Sequence, residues 1–489
     1  MRITRRRFLK GSAAAAAWAL AACSGGGGDG NGGGSARKRA PGELFDPDRA
    51  MGTPDDALPF DHVVVVMMEN HSFDNYFGML PLRGQPKADG FRFDANGTPL
   101  NSNPLNGGYQ RAFHLQGTCQ PGSVTQNWNS SHKQINGGKM DGFAATSNSA
   151  MGYWDESDLP FYYSLAKTFC LGNRSYASTP CQTYPNRRFL YAGTAQGMIS
   201  TDSATFTMPP PAGGSLFDAL SNAGVSWKSY FTDLPALAIV PQNLERHPTN
   251  FAPIAQFYLD CLTGQLPAVS FVDPEFNIGS TVGSPLFDAL NPVIDKIPGL
   301  PASLVSNFRG LQNKYNAQGA SEENPDDVAI GENFVSGVVR AVLASPAWAR
   351  TLFVWTYDEH GGYYDHVAPV ALPIPDDIPP TLDSNDLPGD YGLSGLRVPT
   401  VVMSPYSRAN DVTNVIHDHT SVIATIAAKW NLPALTYRDA SANTLLDFLD
   451  LAAPPAFLTP PTLAAPGMPT LGLGACQGAA PEPVIQPDP

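Results

Sequence analysis

Cysteine is scarce and positive charge is thin. The 489-residue chain has six cysteines, none with a close partner in sequence, which argues against a thiolate zinc site. Lys and Arg number 30 against 44 Asp and Glu, a net charge of −14. Such a chain lacks the basic footprint needed to bind nucleic acid, and bulk charge does not draw it to anionic lipid. No internal repeat is visible. What is present is a hydrophobic content of 43% beside only 15% charged residues, which fits one large core or a core with a cap. Glycine and proline, 46 of each, predict long structured loops.

The first residues carry an address. Thr4, Arg5, Arg6, Arg7, Phe8, Leu9 and Lys10 form a twin-arginine signature, and the apolar stretch from Gly11 to Ala22 is too short to span a bilayer. Leu20, Ala21, Ala22 and Cys23 match a lipobox, with a plain cleaved signal as the alternative. Residues 1–22 are therefore expected to be a twin-arginine lipoprotein signal. Residues 23–40, dominated by Gly, would form a flexible tether. The expectation is export by the twin-arginine route and anchoring at the cell envelope through a lipidated Cys23. Of the other cysteines, Cys119, Cys170, Cys181, Cys261 and Cys476 are odd in number, leaving room for one or two export-compartment disulfides.

Three strand ends hold the chemistry. Val63 to Met68 is a continuous apolar run rich in β-branched residues, as in a strand buried on both faces, and it breaks directly into Glu69, Asn70 and His71. Asn70 or Ser72 could equally cap a following helix. A second buried strand, TLFVWT, ends in Asp358 and Glu359, followed by His360, Gly361, Gly362, Asp365 and His366. Two carboxylates at one strand end repel unless neutralised. A divalent ion held by Glu69, Asn70, Asp358 and Glu359 is the simplest neutraliser, since the set is made mainly of oxygen donors; a solvated acidic turn is the alternative. Thr183 follows a third strand and precedes the helix-forming positions Phe189, Leu190 and Tyr191, where it is either a cap or a hydroxyl facing substrate. His132 lies in a long polar excursion, His247 in a loop, and His419 opens a helix. Alternating strand and helix signals predict an α/β fold with a mostly parallel sheet, helices on both faces and long loops over the active face. Residues 276–326 read as a surface insertion.

In this order, ENHSFDNYFG, the TYPNR segment after Thr183, GENFVSGVVRAV, TYDEHGGYYDHV and RVPTVVMSPYSR resemble the bacterial phosphoesterase family of non-specific phospholipases C and respiratory-burst-inhibiting acid phosphatases. The resemblance spans Asp61 to Trp430. It implies an alkaline-phosphatase-like core, a catalytic domain over residues 41–451 and a Pro-rich tail over 452–489, outside the catalytic fold. It also implies one divalent metal ion on Glu69, Asn70, Asp358, Glu359 and Thr183, with Thr183 as the nucleophile. His132 and His247 match histidines that contact the transferred phosphoryl group, and His366 is a further candidate for proton transfer. Family members often carry His-Pro where this chain has Asn324 and Pro325, so one phosphate-contacting imidazole is missing from the pattern. The implied activity is a metal-dependent, phospholipase C-type hydrolysis of phospholipid or other phosphodiesters through a phospho-threonine. Acid phosphatase activity is the first alternative. A lipid-anchored binding protein without catalysis is the second, and it would require damage among residues that are all present.

Overall fold

The computed structural model describes residues 39–120, 124–276, 320–469, Cys476 and 485–486. The expected signal, Cys23 and nearly all of the tether lie outside the described residues, as does most of the expected insertion. Eight strands form the central sheet: β1 (His62–Met68), β2 (Cys170–Gly172), β3 (Trp227–Phe231), β4 (Phe251–Pro253), β5 (Val269–Asp273), β6 (Thr351–Tyr357), β7 (Thr400–Met403) and β8 (Asp411–Thr413). Their order is β8-β2-β7-β6-β1-β5-β3-β4. Every pairing is parallel except those of β7, which runs against both neighbours. The sheet is thus mostly parallel, as the sequence predicts, with one reversed strand that the pattern did not reveal.

Strand β1 lies at the centre, and its alternation feeds two cores. Val63, Val65 and Met67 pack with Leu190, Tyr191, Leu220 and Ile426 on one face. Val64, Val66 and Met68 pack with Tyr76, Leu165, Val338 and Val342 on the other. A strand with both faces covered needs no polar alternation, which accounts for the unbroken apolar run. The helices include α1 (Phe73–Phe77), α2 (Trp128–Ile135), α3 (Pro160–Thr168), α4 (Thr183–Ala192), α5 (Leu216–Asn222), α6 (Ile254–Thr263), α7 (Val328–Ala344) and α8 (Thr420–Trp430). All of these but α2 contribute to the two cores, and α2 packs in a separate cluster with Phe143 and Met151. Among the described residues no helix is long and apolar enough to cross a membrane.

Phe251–Pro253 pairs with β3 as the edge strand β4, and α6 begins directly after it at Ile254. One expectation needs correction: the described part of the Pro-rich tail does not lie outside the fold. The Phe457 carbonyl accepts from the Trp348 indole at 2.8 Å, Leu463 is buried in the core, and Gly467 donates its N–H to Glu332 at 2.5 Å. Low-complexity sequence hid these contacts because most of them use the tail's backbone rather than a periodic apolar face. Cys119 and Cys476 form a disulfide with Cα atoms 4.9 Å apart, while Cys170, Cys181 and Cys261 are buried free thiols.

Candidate active site

Register brings the acidic strand ends together. Met68 of β1 pairs with Tyr357 of β6, so Glu69 and Asp358 leave adjacent strands at the same level. Neighbouring strands lie about 5 Å apart. The Asn70 N–H donates to Asp358 Oδ1 at 3.2 Å, and Asn70 itself has φ of 71°, in the left-handed region that Asn tolerates. Ser72, not Asn70, caps α1: its hydroxyl accepts from the Asn75 N–H at 3.2 Å. Gly361 (φ 65°) runs so close to the Asn70 carbonyl that a Cβ would fall 1.9 Å from its oxygen. Only glycine fits there, and the Gly361 N–H donates to Glu359 Oε2 at 2.8 Å.

Thr183 is the first residue of α4, and the cap position belongs to Gln182, whose side chain caps nothing. The simple capping role considered for Thr183 is therefore not the one it plays. The turn before it is wound around the Asn186 amide, which accepts from the Thr179 N–H at 3.0 Å and donates to the Cys181 carbonyl at 2.9 Å. Pro185 falls within the first helical turn, where its missing N–H costs nothing. Arg187, four residues after Thr183, shares its helix face. It is fully buried and reaches into the carboxyl cluster: Nε donates to Asp358 Oδ2 at 3.1 Å, and Nη2 lies 3.6 Å from Glu69 Oε1 and donates to the Met67 and Met68 carbonyls at 3.2 and 3.3 Å.

Arg187 was not singled out from sequence, and neither were Glu323 and Asp273, which join the same cluster. Glu323 accepts a hydrogen bond from the Asn70 side-chain amide. Burial raises the pKa values of Glu69, Asp358 and Glu359, with Arg187 opposing the rise at Glu69 and Asp358 and Asp358 adding to it at Glu359. Burial also lifts Asp273 and Glu323 to about 7. Four buried carboxyls, with the half-buried Glu323 beside them, thus cluster around one buried guanidinium. Two oxygens in the cluster, Asn70 Oδ1 and Glu359 Oε1, are buried with no hydrogen-bond partner. Unpartnered buried acceptors and surplus negative charge are what a divalent ion would satisfy, so the oxygen donors fit such a group. Glu69, Asp358 and Glu359 do not close into a tight trio, and Arg187 reaches two of them, Glu69 and Asp358. The described groups whose ligand atoms lie within 4.8 Å of one another are elsewhere: Asp74–Asp365–His366, His114–Asp155–Asp158 and Cys119–Asp327–Cys476. Each is otherwise engaged. Arg397 bridges Asp74 and Asp365 at 3.1 and 2.9 Å, Arg83 pairs with Asp155 at 2.8 Å, and the two cysteines form the disulfide.

The histidines fall in different places. His132 lies in α2, where sequence suggested a loop. Its Nδ1–H donates to the Trp128 carbonyl at 2.7 Å, its ring rests on Trp128 at 4.3 Å, and Gly389 packs against its Nε2. Burial lowers its pKa from 6.5, favouring the neutral ring with Nε2 free to accept a proton. The same helix reaches the carboxyl cluster through Gln134, whose Oε1 is 2.8 Å from His360 Nε2, while His360 Nδ1 is 3.3 Å from Glu359 Oε2.

His247 is not brought to the cluster. Its ring packs edge-on to Trp227 at 5.5 Å and its Nε2 lies 3.1 Å from Asp218 Oδ1. Trp227 opens β3 opposite Val269, the first residue of β5, so this imidazole sits at the edge of the sheet opposite the carboxyls. His366 belongs to the Arg397 network, 2.7 Å from Asp74 Oδ2 and 3.4 Å from Asp89 Oδ1. Burial pulls its pKa down, but Asp74 more than compensates and holds it at about 10. His419 precedes α8 and points Nε2 at the Tyr357 carbonyl at 3.1 Å, one residue from Asp358, where burial drops its pKa to about 4.

The sequence profile of the Phosphoesterase family matches residues 60–433. Non-specific phospholipase C1 of Arabidopsis thaliana is 31% identical over 79% of this chain and 70% of its own length. Non-specific phospholipase C6 of the same plant is 28% identical over 83% of this chain and 75% of its own. Phospholipase C A of Mycobacterium tuberculosis is 26% identical over 86% and 85%. Among solved structures, a phosphonate monoester hydrolase of Agrobacterium radiobacter overlaps 80% of this chain and 77% of its own at a TM-score of 0.34 and 12% identity, too loosely to add to the topology above.

Proposed function

The chain belongs to the Phosphoesterase family and is a hydrolase of phosphoric ester bonds, and from that premise we propose a phospholipase C-type reaction with Thr183 as nucleophile. The observation that carries the site is the cluster of four buried carboxyls and the half-buried Glu323 around Arg187, with Asn70 Oδ1 and Glu359 Oε1 unsatisfied and Thr183 on the same helix face as the guanidinium. Glu69, Asn70, Asp358, Glu359 and Thr183 would hold one divalent ion. When bound, such an ion lowers the pKa of a hydroxyl and screens phosphoryl oxygens.

The residues divide the remaining work. Thr183 Oγ attacks phosphorus, a P–O bond forms to threonine, and the bond to the diacylglycerol oxygen breaks. His132 takes the hydroxyl proton at Nε2 and returns it to the departing alcohol. Its Nδ1–H is already committed to the Trp128 carbonyl, which fixes the neutral tautomer this role needs. In the second half the neutral His132 draws a proton from water as the water oxygen bonds to phosphorus, the P–Oγ bond to Thr183 breaks, and His132 returns the proton to Thr183 Oγ. Arg187 opposes the neutralisation that burial favours at Asp358 and Glu69 and holds both side chains in place.

Phosphodiesters are favoured over monoesters because the relatives are phospholipases C. Comparing phosphatidylcholine, p-nitrophenyl phosphorylcholine and p-nitrophenyl phosphate across several divalent ions tests this. Diester turnover that exceeds monoester turnover and is abolished by chelation supports the reading; monoester turnover dominating under every condition returns it to acid phosphatase.

For location, we propose export by the twin-arginine route and lipid attachment at Cys23. The Cys119–Cys476 disulfide suits an oxidising compartment. Metabolic labelling with a radioactive fatty acid, lost in Cys23→Ser, checks it.

A further inference from the structure

The Asn70 side chain poses a question of orientation. Its amide has one oxygen able to ligate a cation and one nitrogen that cannot, on opposite sides of a two-fold-like plane. The backbone does not decide between them. It fixes where the amide sits: φ is 71°, the N–H is held by Asp358 Oδ1 at 3.2 Å, and Gly361 presses on the carbonyl. A side-chain neighbour must therefore choose which amide atom turns inward.

That neighbour is Glu323, whose carboxylate receives the Asn70 Nδ2–H while Asn70 Oδ1 stays buried without a partner. Ionised, Glu323 accepts and does not donate, so it pairs with the amide nitrogen, as the Asn70 Nδ2–H to Glu323 hydrogen bond has it. The segment carrying Glu323 is itself rigidly seated. Ser321 accepts from the Glu69 N–H at 2.9 Å through its carbonyl, and Gln120 Nε2 donates to the Glu322 and Glu323 carbonyls at 2.7 and 3.3 Å. The Glu322 side chain is locked by the Tyr76, Tyr162 and Tyr357 hydroxyls, each 2.6 Å away. We propose that Glu323 is a positioning residue that orients the Asn70 amide, turning Oδ1 rather than Nδ2 toward the ion site. This rests on the metal reading of the cluster above. A carboxylate behind a ligating group is the arrangement that commonly fixes ligand orientation in metal centres.

The test is Mn²⁺ affinity by titration calorimetry on the folded chain, in a double-mutant cycle. Glu323→Leu should weaken Mn²⁺ binding roughly 10–100-fold. In an Asn70→Asp background both side-chain terminal atoms are oxygens, so orientation no longer matters, and adding Glu323→Leu should leave affinity unchanged or improve it. Circular dichroism and thermal melts confirm that each variant is folded. An equal loss in both backgrounds would overturn the inference and assign Glu323 a purely electrostatic pull on the cation. No effect of Glu323→Leu on wild-type affinity would also overturn it, as would loss of binding by Asn70→Asp alone, which keeps an oxygen at the site. A wild-type protein that binds no divalent ion would instead sink the metal reading itself, and the inference with it.

Discussion

Replacing Arg187 with methionine keeps the buried stem and removes the guanidinium at the centre of the carboxyl cluster. The side chain makes a charge-assisted bond to Asp358 at 3.1 Å, bonds to the Met67 and Met68 carbonyls at 3.2 and 3.3 Å, and an ion pair with Glu69 at 3.6 Å. A charge-assisted bond contributes about 1.5–3 kcal/mol, and each carbonyl bond about 1 kcal/mol. Stranding a buried carboxylate brings the expected loss to about 3–5 kcal/mol. The loss should depend on pH with a definite sign. Asp273 and Glu323 have folded-state values near 7, above the ordinary carboxylate range, as burial dictates. Groups raised in this way contribute stability that is fully present at low pH and is lost as pH climbs through about 7. Without Arg187 the carboxyls are pushed higher still, so the deficit should be largest at about pH 7.5 and shrink at about pH 5. Urea unfolding with a chelator present, at both pH values, measures it. A loss below about 1 kcal/mol at the higher pH, or an equal loss at both, would refute the claim that Arg187 balances this cluster.

Three further outcomes are expected. His247→Ala should leave kcat/KM unchanged within about 2-fold in a steady-state assay, because the imidazole lies at the opposite sheet edge, although a small loss from its Asp218 pair should show in a thermal melt. His132→Asn should lower kcat by about 10²–10⁴-fold and remove the acidic limb of the pH–rate profile, with folding intact by circular dichroism. Cys119→Ser, which frees the tail at Cys476, should cost about 2–5 kcal/mol in urea unfolding, and reductant should reproduce the loss in wild type and add nothing to the variant.

How much of this was legible follows from where information sits in a chain. Glu69, Asn70, Asp358 and Glu359 were readable because each follows a buried apolar run that stops without a turn residue, and register then aligns the two strand ends. Thr183 was readable as a position between strand and helix. Arg187 was not, since an arginine inside a helix ordinarily faces solvent and only the packing of α4 on the sheet turns it inward. Glu323 sits in an acidic loop whose composition suggests solvent exposure, and no local pattern places that loop beside β1. His247 was misplaced because a His-Pro in a loop carries no signal of which end of the sheet the loop serves.

The central claim is that the Thr183 hydroxyl is the attacking group. Thr183→Ala, with divalent metal content and folding verified, should hydrolyse p-nitrophenyl phosphorylcholine at least about 10³-fold more slowly than wild type, and acid-quenched single turnovers of wild type should carry the phosphorylcholine group on Thr183 alone. A metal-loaded Thr183→Ala protein that keeps most of the wild-type rate, or an adduct on another residue, would contradict it.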